Sequence, residues 1–362
     1  MTATATETEM IARMTSTTPA AQDGLAAAAT AGDHDAFAAL TERHRAELRL
    51  HCYRMLGSLE DSEDAVQETF LRAWAKRSSY AGRSTYRAWL YGIATHTCLD
   101  LLRKRRPRLL PAEAGPAADP ARPPAASAEV PWLDPYPDQL IDAAAAEAEP
   151  ESAAIARETT ELSFLAAIQH LPPRQRAVLI LRDVLEWPAR QVADALETSV
   201  AAVNSALQRA HVTMARHLPA HDHSTREAGI SAATQHEQAL LVSLMTAWER
   251  ADVNAVAALL SEDARLVMPP TPTWFDGRAA IAAFLAAHAF GPGAAGQFGQ
   301  FGTIATAANR QPAMALYARG AAQSSRLPFA LVVLRVRGGA IAELTLFRRP
   351  DIFGTWGLPP EL

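Results

Sequence analysis

The sequence has only two cysteines, Cys52 and Cys98, and neither lies in a CxxC pair or in a cluster of cysteine and histidine. A disulfide framework and a structural zinc site both need such groups at defined spacings, so the pattern favours neither. Two free thiols are typical of a protein in a reducing compartment. We therefore expect a cytoplasmic protein without a bound metal or cofactor.

Long apolar runs are also missing, and no segment approaches the roughly 20 residues that a membrane-spanning helix needs. Residues 1–32 lack the basic segment and apolar core of a secretory signal, so we expect a flexible N-terminus and no membrane partner. Positive charge is not in excess either, because the 362 residues carry a formal net charge of −5. A free-standing DNA-binding protein usually has a basic balance. A DNA-binding chain of this composition therefore binds weakly alone or relies on a partner.

Basic residues are concentrated at the end of YRAWLYGIATHTCLDLLRKRRPR (Tyr86–Arg108). The apolar spacing of this stretch predicts a helix with one face in a core, preceded by a loop that contains Gly82. Ser84 or Thr85 is the predicted N-cap. Rings stack on unpaired bases and cations hold phosphates, so the helix suits a nucleic-acid strand; the alternative is a core helix with a solvated basic tail. The predicted core-facing residues are Tyr86, Trp89, Leu90, Ile93, Ala94, Thr97 and Leu101, with Tyr91 and Gly92 on the other side.

Two helices are predicted before this one, over about Asp35–Leu56 and Ser58–Lys76, so residues 33–108 form a compact helical domain. The second helix has an outward face that mixes charged, amide and apolar side chains. Such a face is compatible with a docking surface and also with an ordinary solvated surface. Its members are Asp64, Gln67, Glu68, Leu71 and Arg72.

Residues 109–150 are rich in Ala, Pro and acidic side chains, which predicts a linker. One island within it, Val130–Asp138, carries Trp132 and Tyr136. These rings predict a segment that docks into a partner, or one that folds back on its own domain.

Residues 151–218 are again predicted to be helical, and their last two helices are joined by the short turn Glu197–Ser199. This is the helix-turn-helix pattern, although other helical bundles also contain short turns. Small residues early in the last helix permit close approach to a major groove, where Asn, Gln and Arg read base edges. The positions predicted to face DNA are Thr198, Ser199, Ala202, Asn204, Ser205, Gln208, Arg209 and His211.

A polar linker, 219–233, leads to residues 234–350, where helices precede a run of strands, and a tail covers 351–362. This order predicts an α+β cone. Six apolar residues either line a ligand pocket in the cone or pack in its core: Trp248, Met268, Trp274, Phe284, Tyr317 and Phe329. The candidates for acid–base chemistry are Asp276, His288, Arg319 and Glu343. No spacing brings these four together, so structural roles are favoured and we predict no catalytic site.

Three strings in order resemble the extracytoplasmic-function (ECF) sigma factors of bacterial RNA polymerase. They are DSEDAVQETFLRAWAK (61–76), TYRAWLYGIATHTCLDLLRKRR (85–106) and LPPRQRAVLILRDVLEWPARQVADALETSVAAVNSALQRAH (171–211). The later string WERADVNAVAALLSEDARLVMPP, followed by WFDGRAAIAAFL, resembles the SnoaL-like branch of the NTF2-like superfamily. Together they resemble the SigG-like group. The implied fold is multidomain: two all-α sigma domains, the second a helix-turn-helix, and a C-terminal α+β NTF2-like cone.

The resemblance also implies partners and residue roles. The outward face that includes Asp64 and Arg72 would dock on the clamp of the largest polymerase subunit, and the second-largest subunit is a further partner. The helix-turn-helix would read the minus-thirty-five element of promoter DNA, and the linker island would thread through the polymerase. His211 departs from relatives that often carry Arg. The residues implied for the minus-ten element are Gly82, Arg83, Ser84, Tyr86, Arg87, Trp89, Tyr91, Arg103, Lys104, Arg105 and Arg106.

The leading interpretation is a stress-response promoter-specificity factor whose cone modulates its activity, through an intramolecular contact or a small molecule. One alternative is a SnoaL-type cyclase or isomerase tethered to DNA-binding helices. The other is a helix-turn-helix regulator that acts without polymerase.

Overall fold

The computed structural model describes residues 19–80, 82, 84–126, 130–145, 160–217, 230–291, 300–320 and 324–362. The predicted minus-ten residue Arg83 lies outside these residues, as do 1–18 of the predicted N-terminal segment and 219–229 of the predicted second linker.

The N-terminal part is a helical bundle. Its helices are α1 (Pro19–Ala31), α2 (His34–Glu42), α3 (Arg45–Leu56), α4 (Leu59–Ala75) and α5 (Tyr86–Leu102). Ser58 caps α4, as the sequence predicted, by accepting a hydrogen bond from the amide of Asp61. Thr85 caps α5 by accepting from the amide of Ala88 at 3.2 Å.

Two features of this bundle correct the sequence prediction. Residues 19–31 of the predicted flexible N-terminus form α1, with Ala26 and Ala29 buried in the core, because alanine favours helix and packs closely. The predicted helix Asp35–Leu56 is two helices. His44, with φ −101° and ψ −1°, lies at the break between them.

Part of the predicted linker packs against the rest of the protein. It contains the short helices α6 (Pro111–Ala114) and α7 (Asp138–Ala145). Leu133 and Tyr136 are fully buried, and Trp132 is nearly so. The aromatic island therefore folds back on its own molecule, one of the two sequence interpretations, because its side chains remove apolar surface from water.

The second helical domain contains α8 (Leu162–Gln169), α9 (Pro173–Leu179), α10 (Ala189–Ala195) and α11 (Val200–His217). Helix α9 continues as a π-helical turn, Ile180–Val184. Pro188 is the N-cap of α10 rather than its first helical residue, which corrects the prediction by one position. A tight turn, in which Glu197 has a φ of 49°, joins α10 to α11 in the predicted helix-turn-helix order.

The C-terminal domain combines helices α12 (Ile230–Glu249), α13 (Val253–Leu259) and α14 (Arg278–Phe284) with a sheet. Its strands are β1 (Leu260–Val267), β2 (Trp274–Asp276), β3 (Gln300–Ala308), β4 (Gln311–Arg319), β5 (Leu327–Arg337) and β6 (Ala340–Phe347). The strand order is β2-β1-β6-β5-β4-β3. β1 and β6 pair in parallel, and the other neighbours are antiparallel.

The two faces of the sheet pack against different partners. The inner face, which includes Met314 and Leu344, packs with residues of α12 and α14. The outer face, which includes Tyr317 and Phe347, belongs to the same apolar core as the two helical domains. Alternation along β4 sends Met314 and Tyr317 to opposite sides. The C-terminal domain is therefore bound to the helical domains through the outer face of its sheet.

Candidate polymerase and nucleic-acid interface

The predicted polymerase-binding residues lie on one face of α4. Leu71 is 68% exposed, which is a large apolar side chain left in water. Arg72 is held by Glu68 at 2.7 Å and by Asp100 of α5 at 2.8 Å. These residues border a groove of about 410 Å³ between α4 and the end of α5. Asp64 and Gln67 are exposed in the same groove. An apolar residue within a polar rim is typical of a protein docking surface.

The predicted minus-ten residues lie on α5 and in the loop before it. Trp89 is partly buried in a ring cluster, with centroids 5.1 Å from Tyr86 and 5.6 Å from Tyr80. Tyr86 is buried as predicted, but Tyr91 is 1% exposed, which corrects its predicted outward position. The described members that remain exposed are Gly82, Ser84, Arg103, Lys104, Arg105 and Arg106.

Tyr91 is buried between α3 of its own domain and the second helical domain, which covers part of α5. A Cβ added at Gly92 would lie 3.5 Å from the carbonyl oxygen of Ala195 in α10, so the two helices approach closely. Trp187, just before α10, packs edge-on against Tyr91 with centroids 5.4 Å apart. A cleft of about 660 Å³ remains between α10 and the Trp89 side of α5. The helix proposed to hold a DNA strand is thus partly closed off.

Arg87 is held by a buried carboxylate of α3. Its guanidinium lies 2.6 Å from Glu47, and Tyr91 donates its hydroxyl to the same carboxylate at 3.1 Å. Burial alone raises the pKa of Glu47, but the hydrogen bond from His44 and the charge of Arg87 hold that pKa below its ordinary value. Arg87 therefore fixes the start of α5 against α3.

His51 of α3 is buried next to Tyr91. The hydroxyl of Thr95 donates its hydrogen to the carbonyl oxygen of Tyr91 at 2.7 Å. Because that hydrogen is taken, the hydroxyl oxygen accepts a hydrogen bond from the N–H at His51 Nε2 at 2.9 Å. Burial, together with the nearby charge of Arg54, lowers the pKa of His51 to about 3. The ring is therefore neutral at physiological pH.

Arg176 of α9 joins the two helical domains. It is 1% exposed and donates across the domain boundary to the carbonyl oxygen of Met55, at 2.5 Å. It also donates to Oε1 of Gln169 at 2.8 Å and to its carbonyl oxygen at 2.9 Å. Met55 lies in the last turn of α3, where carbonyls have no partner within the helix, so Arg176 caps α3 from the second domain. The sequence analysis missed this residue, although an arginine directly before the apolar run AVLIL is a signal.

The basic end of α5 is partly neutralised within the protein. Arg103 pairs with Asp100 at 2.9 Å, and Arg105 contacts Asp61. Burial alone raises the pKa of Asp61, but Arg105 and Arg108 bring it below its ordinary value. Arg105, one of the predicted phosphate-binding cations, therefore also holds the end of α5 to α4.

The predicted helix-turn-helix residues, unlike those of α5, lie on a helix face that is open to solvent. Arg209 is exposed, and α11 has no carboxylate in its sequence. His211, which departs from the arginine of relatives, contacts Asp183 at 2.6 Å. The exposed predicted residues are Ser199, Ala202, Asn204, Ser205, Gln208, Arg209 and His211, and Thr198 is partly buried.

The structure divides the six predicted pocket residues between the two faces of the sheet. Trp248, Met268, Phe284 and Phe329 pack in the inner core. Trp274 and Tyr317 lie on the outer face, where their polar atoms donate to the carbonyl oxygens of Gly115 and Pro359, at 2.9 and 2.8 Å. The six therefore do not line one pocket, because strand alternation sends these two to the opposite side.

The acid–base candidates are not brought together in the cone. Asp276 pairs with Arg265 at 3.6 Å, and Glu343 pairs with Arg335 at 3.1 Å. The strand register places these four charges in one row across the outer face. Both carboxylates therefore serve as cross-strand ion-pair partners outside the cone. Within the described residues, no cluster of three metal-ligating side chains forms, and no helix is long and apolar enough to span a membrane.

Comparisons with known proteins agree with this architecture. The Sigma-70 region 2 family matches residues 40–108, Sigma-70 region 4 matches 161–214, and the SnoaL-like domain family matches 241–344. The chain is 41% identical over 329 residues to the ECF RNA polymerase sigma factor SigG of Mycobacterium tuberculosis, covering 90% of this chain and 85% of that protein. It is 28% identical over 188 residues to the ECF sigma factor SigW of Bacillus subtilis, covering 52% of this chain and 91% of that one.

A solved structure shares the fold along most of the chain. The crystal structure of the M. tuberculosis ECF sigma factor SigJ matches with a TM-score of 0.55 at 20% identity, covering 89% of this chain and 99% of that one. The resemblance and the fold class predicted from the sequence are both confirmed.

Proposed function

The chain belongs to the ECF sigma factors of RNA polymerase, and we propose that it directs core polymerase to promoters from a closed free form. In that form the second helical domain covers the strand-binding helix α5, and the C-terminal domain maintains the closure. The observation that carries the closed form is the contact of α10 with α5 at Gly92 and Ala195.

The docking face on α4 is available in the closed form. Leu71 is exposed beside the ion pairs of Arg72, so polymerase can engage this face before any rearrangement. A protein partner that buries Leu71 removes its apolar surface from water, which favours the complex over the free protein. We infer that binding to the polymerase clamp is the first step, and that it occurs in the cytoplasm.

The strand-binding face, in contrast, is only partly available, because its Tyr91 side is covered while Trp89 borders an open cleft. Single-strand binding relies on rings on which bases stack and on cations that track the backbone. Tyr91 is buried under Trp187, and Arg87 is paired with Glu47. A DNA strand can reach this side of α5 only when α10 moves away. We infer that promoter melting requires opening of the two helical domains, and that the free protein binds single-stranded DNA weakly.

The linker couples this opening to the C-terminal domain. The amide of Ala118 donates to the carbonyl oxygen of Trp274 at 2.8 Å, and Arg349 pairs with Asp134 at 3.2 Å. A linker held in this way cannot at the same time thread through the polymerase. The cone therefore modulates activity as an intramolecular partner, and the outer positions of Asp276 and Glu343 support this role over catalysis.

A second candidate function rests on the exposure of α11. Its recognition residues are open in the closed form, and the helix has no carboxylate to repel phosphates. We infer that duplex DNA can be read without opening, as in a regulator that acts without polymerase. Retention of purified core polymerase by the tagged full-length protein distinguishes the leading function from this one.

The leading function is tested with Leu71→Asp in the full-length chain. Val242→Asp is the matched control, since Val242 is also an apolar helix residue, 60% exposed, and lies on the C-terminal domain. We expect Leu71→Asp to weaken core polymerase binding about 10-fold or more, because a charge would be buried at the interface. Promoter-dependent transcription should fall in parallel. Equal binding and transcription by the two variants would refute the docking face.

A further inference from the structure

We propose that the two-residue turn Asn309–Arg310, between β3 and β4, is the latch that holds the closed form. The turn projects from the C-terminal domain to a point where the first helical domain, the linker and the start of the second helical domain meet. This inference rests on the proposed closed form and assigns its control to one side chain, Asn309.

Asn309 is fully buried, and its polar atoms are shared among the other three parts. Its Nδ2 donates to the hydroxyl oxygen of Tyr53 in α3 and to the carbonyl oxygen of Thr160, both at 2.9 Å. Its Oδ1 accepts from the amide of Tyr136 at 2.8 Å, and its own amide donates to the carbonyl of Tyr136 at 2.9 Å. One carboxamide thus joins α3, the linker and the residues before α8.

The chemistry of this junction requires an amide group. Tyr53 donates its hydroxyl hydrogen to the carbonyl oxygen of Asp134 at 2.7 Å, so it faces Asn309 as an acceptor. The carbonyl of Thr160 is also an acceptor. Both partners of Nδ2 therefore need donated hydrogens, while Tyr136 supplies one to Oδ1. A carboxylate of the same shape would place a buried charge against two oxygen atoms without a donor between them.

The backbone of the turn also favours asparagine. Asn309 has a φ of 57° and Arg310 a φ of 60°, which is the left-handed conformation of a two-residue hairpin turn. Asparagine tolerates this region well, whereas arginine does not. Contacts with the linker stabilise Arg310 in this conformation instead. Its guanidinium pairs with Asp142 at 2.5 Å, and its backbone amide donates to Asp138 at 2.8 Å. Both contacts bind the turn to α7 of the linker.

The neighbouring Gln311 extends the latch to the second helical domain. Its Oε1 accepts from the amide of Leu162, the first residue of α8, at 3.0 Å. Its Nε2 donates to the carbonyl of Leu334 in β5, so the side chain is anchored in its own sheet. Release of the turn would free the linker and the start of α8 together. This explains how the C-terminal domain can control whether α10 stays on α5.

The test compares Asn309→Asp with Arg310→Gly in the full-length free protein. Asn309→Asp keeps the shape and the turn conformation but loses the donors to Tyr53 and Thr160. Arg310→Gly relaxes the backbone and removes two ion pairs at the rim, those to Asp138 and Asp142. Opening is read from energy transfer between dyes at Glu60→Cys in α4 and Val212→Cys in α11, which lie on the two helical domains, since both native cysteines are fully buried.

We expect Asn309→Asp to raise the ratio of open to closed molecules about 10- to 100-fold, and Arg310→Gly less than about 5-fold. Hydrogen exchange in the inner core of the C-terminal domain should be unchanged in both, which shows that the domain stays folded. When Tyr53→Phe is combined with Asn309→Asp, the change in the free energy of opening should be smaller than the sum of the two single changes, because both remove the same contact.

An open fraction for Asn309→Asp within 2-fold of wild type would overturn the latch, as would additive effects with Tyr53→Phe. If the inner core loses its exchange protection in Asn309→Asp, the residue stabilises its own domain, and the proposal is also wrong. The measurements use no polymerase, so they are independent of the Leu71→Asp test, and either proposal can fail while the other stands.

Discussion

Arg176 provides the most direct test of whether the two helical domains hold each other closed. It is a buried cation whose hydrogen-bond partners are carbonyl and amide oxygens rather than a carboxylate. Burial lowers the pKa of Arg176 to about 10, so it remains charged at neutral pH. The perturbation is Arg176→Ala, which removes every one of these donors. The control is Arg174→Ala, because Arg174 lies on the same helix but is exposed.

The magnitude follows from the number of contacts. A hydrogen bond from a charged donor contributes about 1.5–3 kcal/mol, and removing a buried charged partner costs about 3–5 kcal/mol in all. Of the contacts, only that to Met55 crosses the domain boundary; those to Gln169 lie within the second domain. The closed form should therefore lose about 1.5–3 kcal/mol relative to the open form, a roughly 10- to 150-fold shift in their ratio.

Two assays separate these quantities. Urea unfolding followed by circular dichroism measures the total loss of stability. Energy transfer between dyes at Glu60→Cys and Val212→Cys measures opening of α4 from α11, since Val212 is 53% exposed on α11. If Arg176→Ala changes neither quantity by more than Arg174→Ala does, Arg176 does not clamp the domains and the reasoning is wrong.

Two further predictions concern α3 and α5. His51 has a pKa of about 3 in the folded protein, below the ordinary value near 6.5. As the pH falls, the unfolded chain therefore binds a proton at His51 before the folded protein does. The contribution of the neutral His51 to folding stability is complete above about pH 6.5 and declines toward pH 3. Urea unfolding should therefore show a His51 contribution of about 2 kcal/mol lost between pH 7 and 5, and His51→Gln should abolish this part of the slope; an unchanged slope would contradict the buried neutral ring. Thr85→Ala should cost about 1 kcal/mol in thermal unfolding because the N-cap of α5 is lost, whereas Ser84→Ala, one residue earlier and without that cap bond, should cost little.

Several local features were correctly predicted because they depend on residues close together in the chain. The Ser58 cap of α4 needs only a serine with Asp61 three residues later, and either Ser84 or Thr85 was expected to cap α5. The helix-turn-helix order follows from the turn signals around Glu197. The order of helices followed by a run of strands also predicted an α+β domain. These features arise from hydrogen bonds and periodicities within one turn or one strand.

The sequence by itself determined the family, the order of the three domains and which residues of α11 are exposed, because each depends on short-range spacing. Only the tertiary structure decided that Tyr91 is buried, that Arg176 caps α3 and that Asn309 joins three other parts of the chain. Each of these contacts pairs residues far apart in sequence, such as Asn309 with Tyr53, and a spacing pattern carries no information about such a pair. The physical reason is that small residues, as at Gly92 and Ala195, permit close approach without requiring it, so the choice of partner depends on the whole fold.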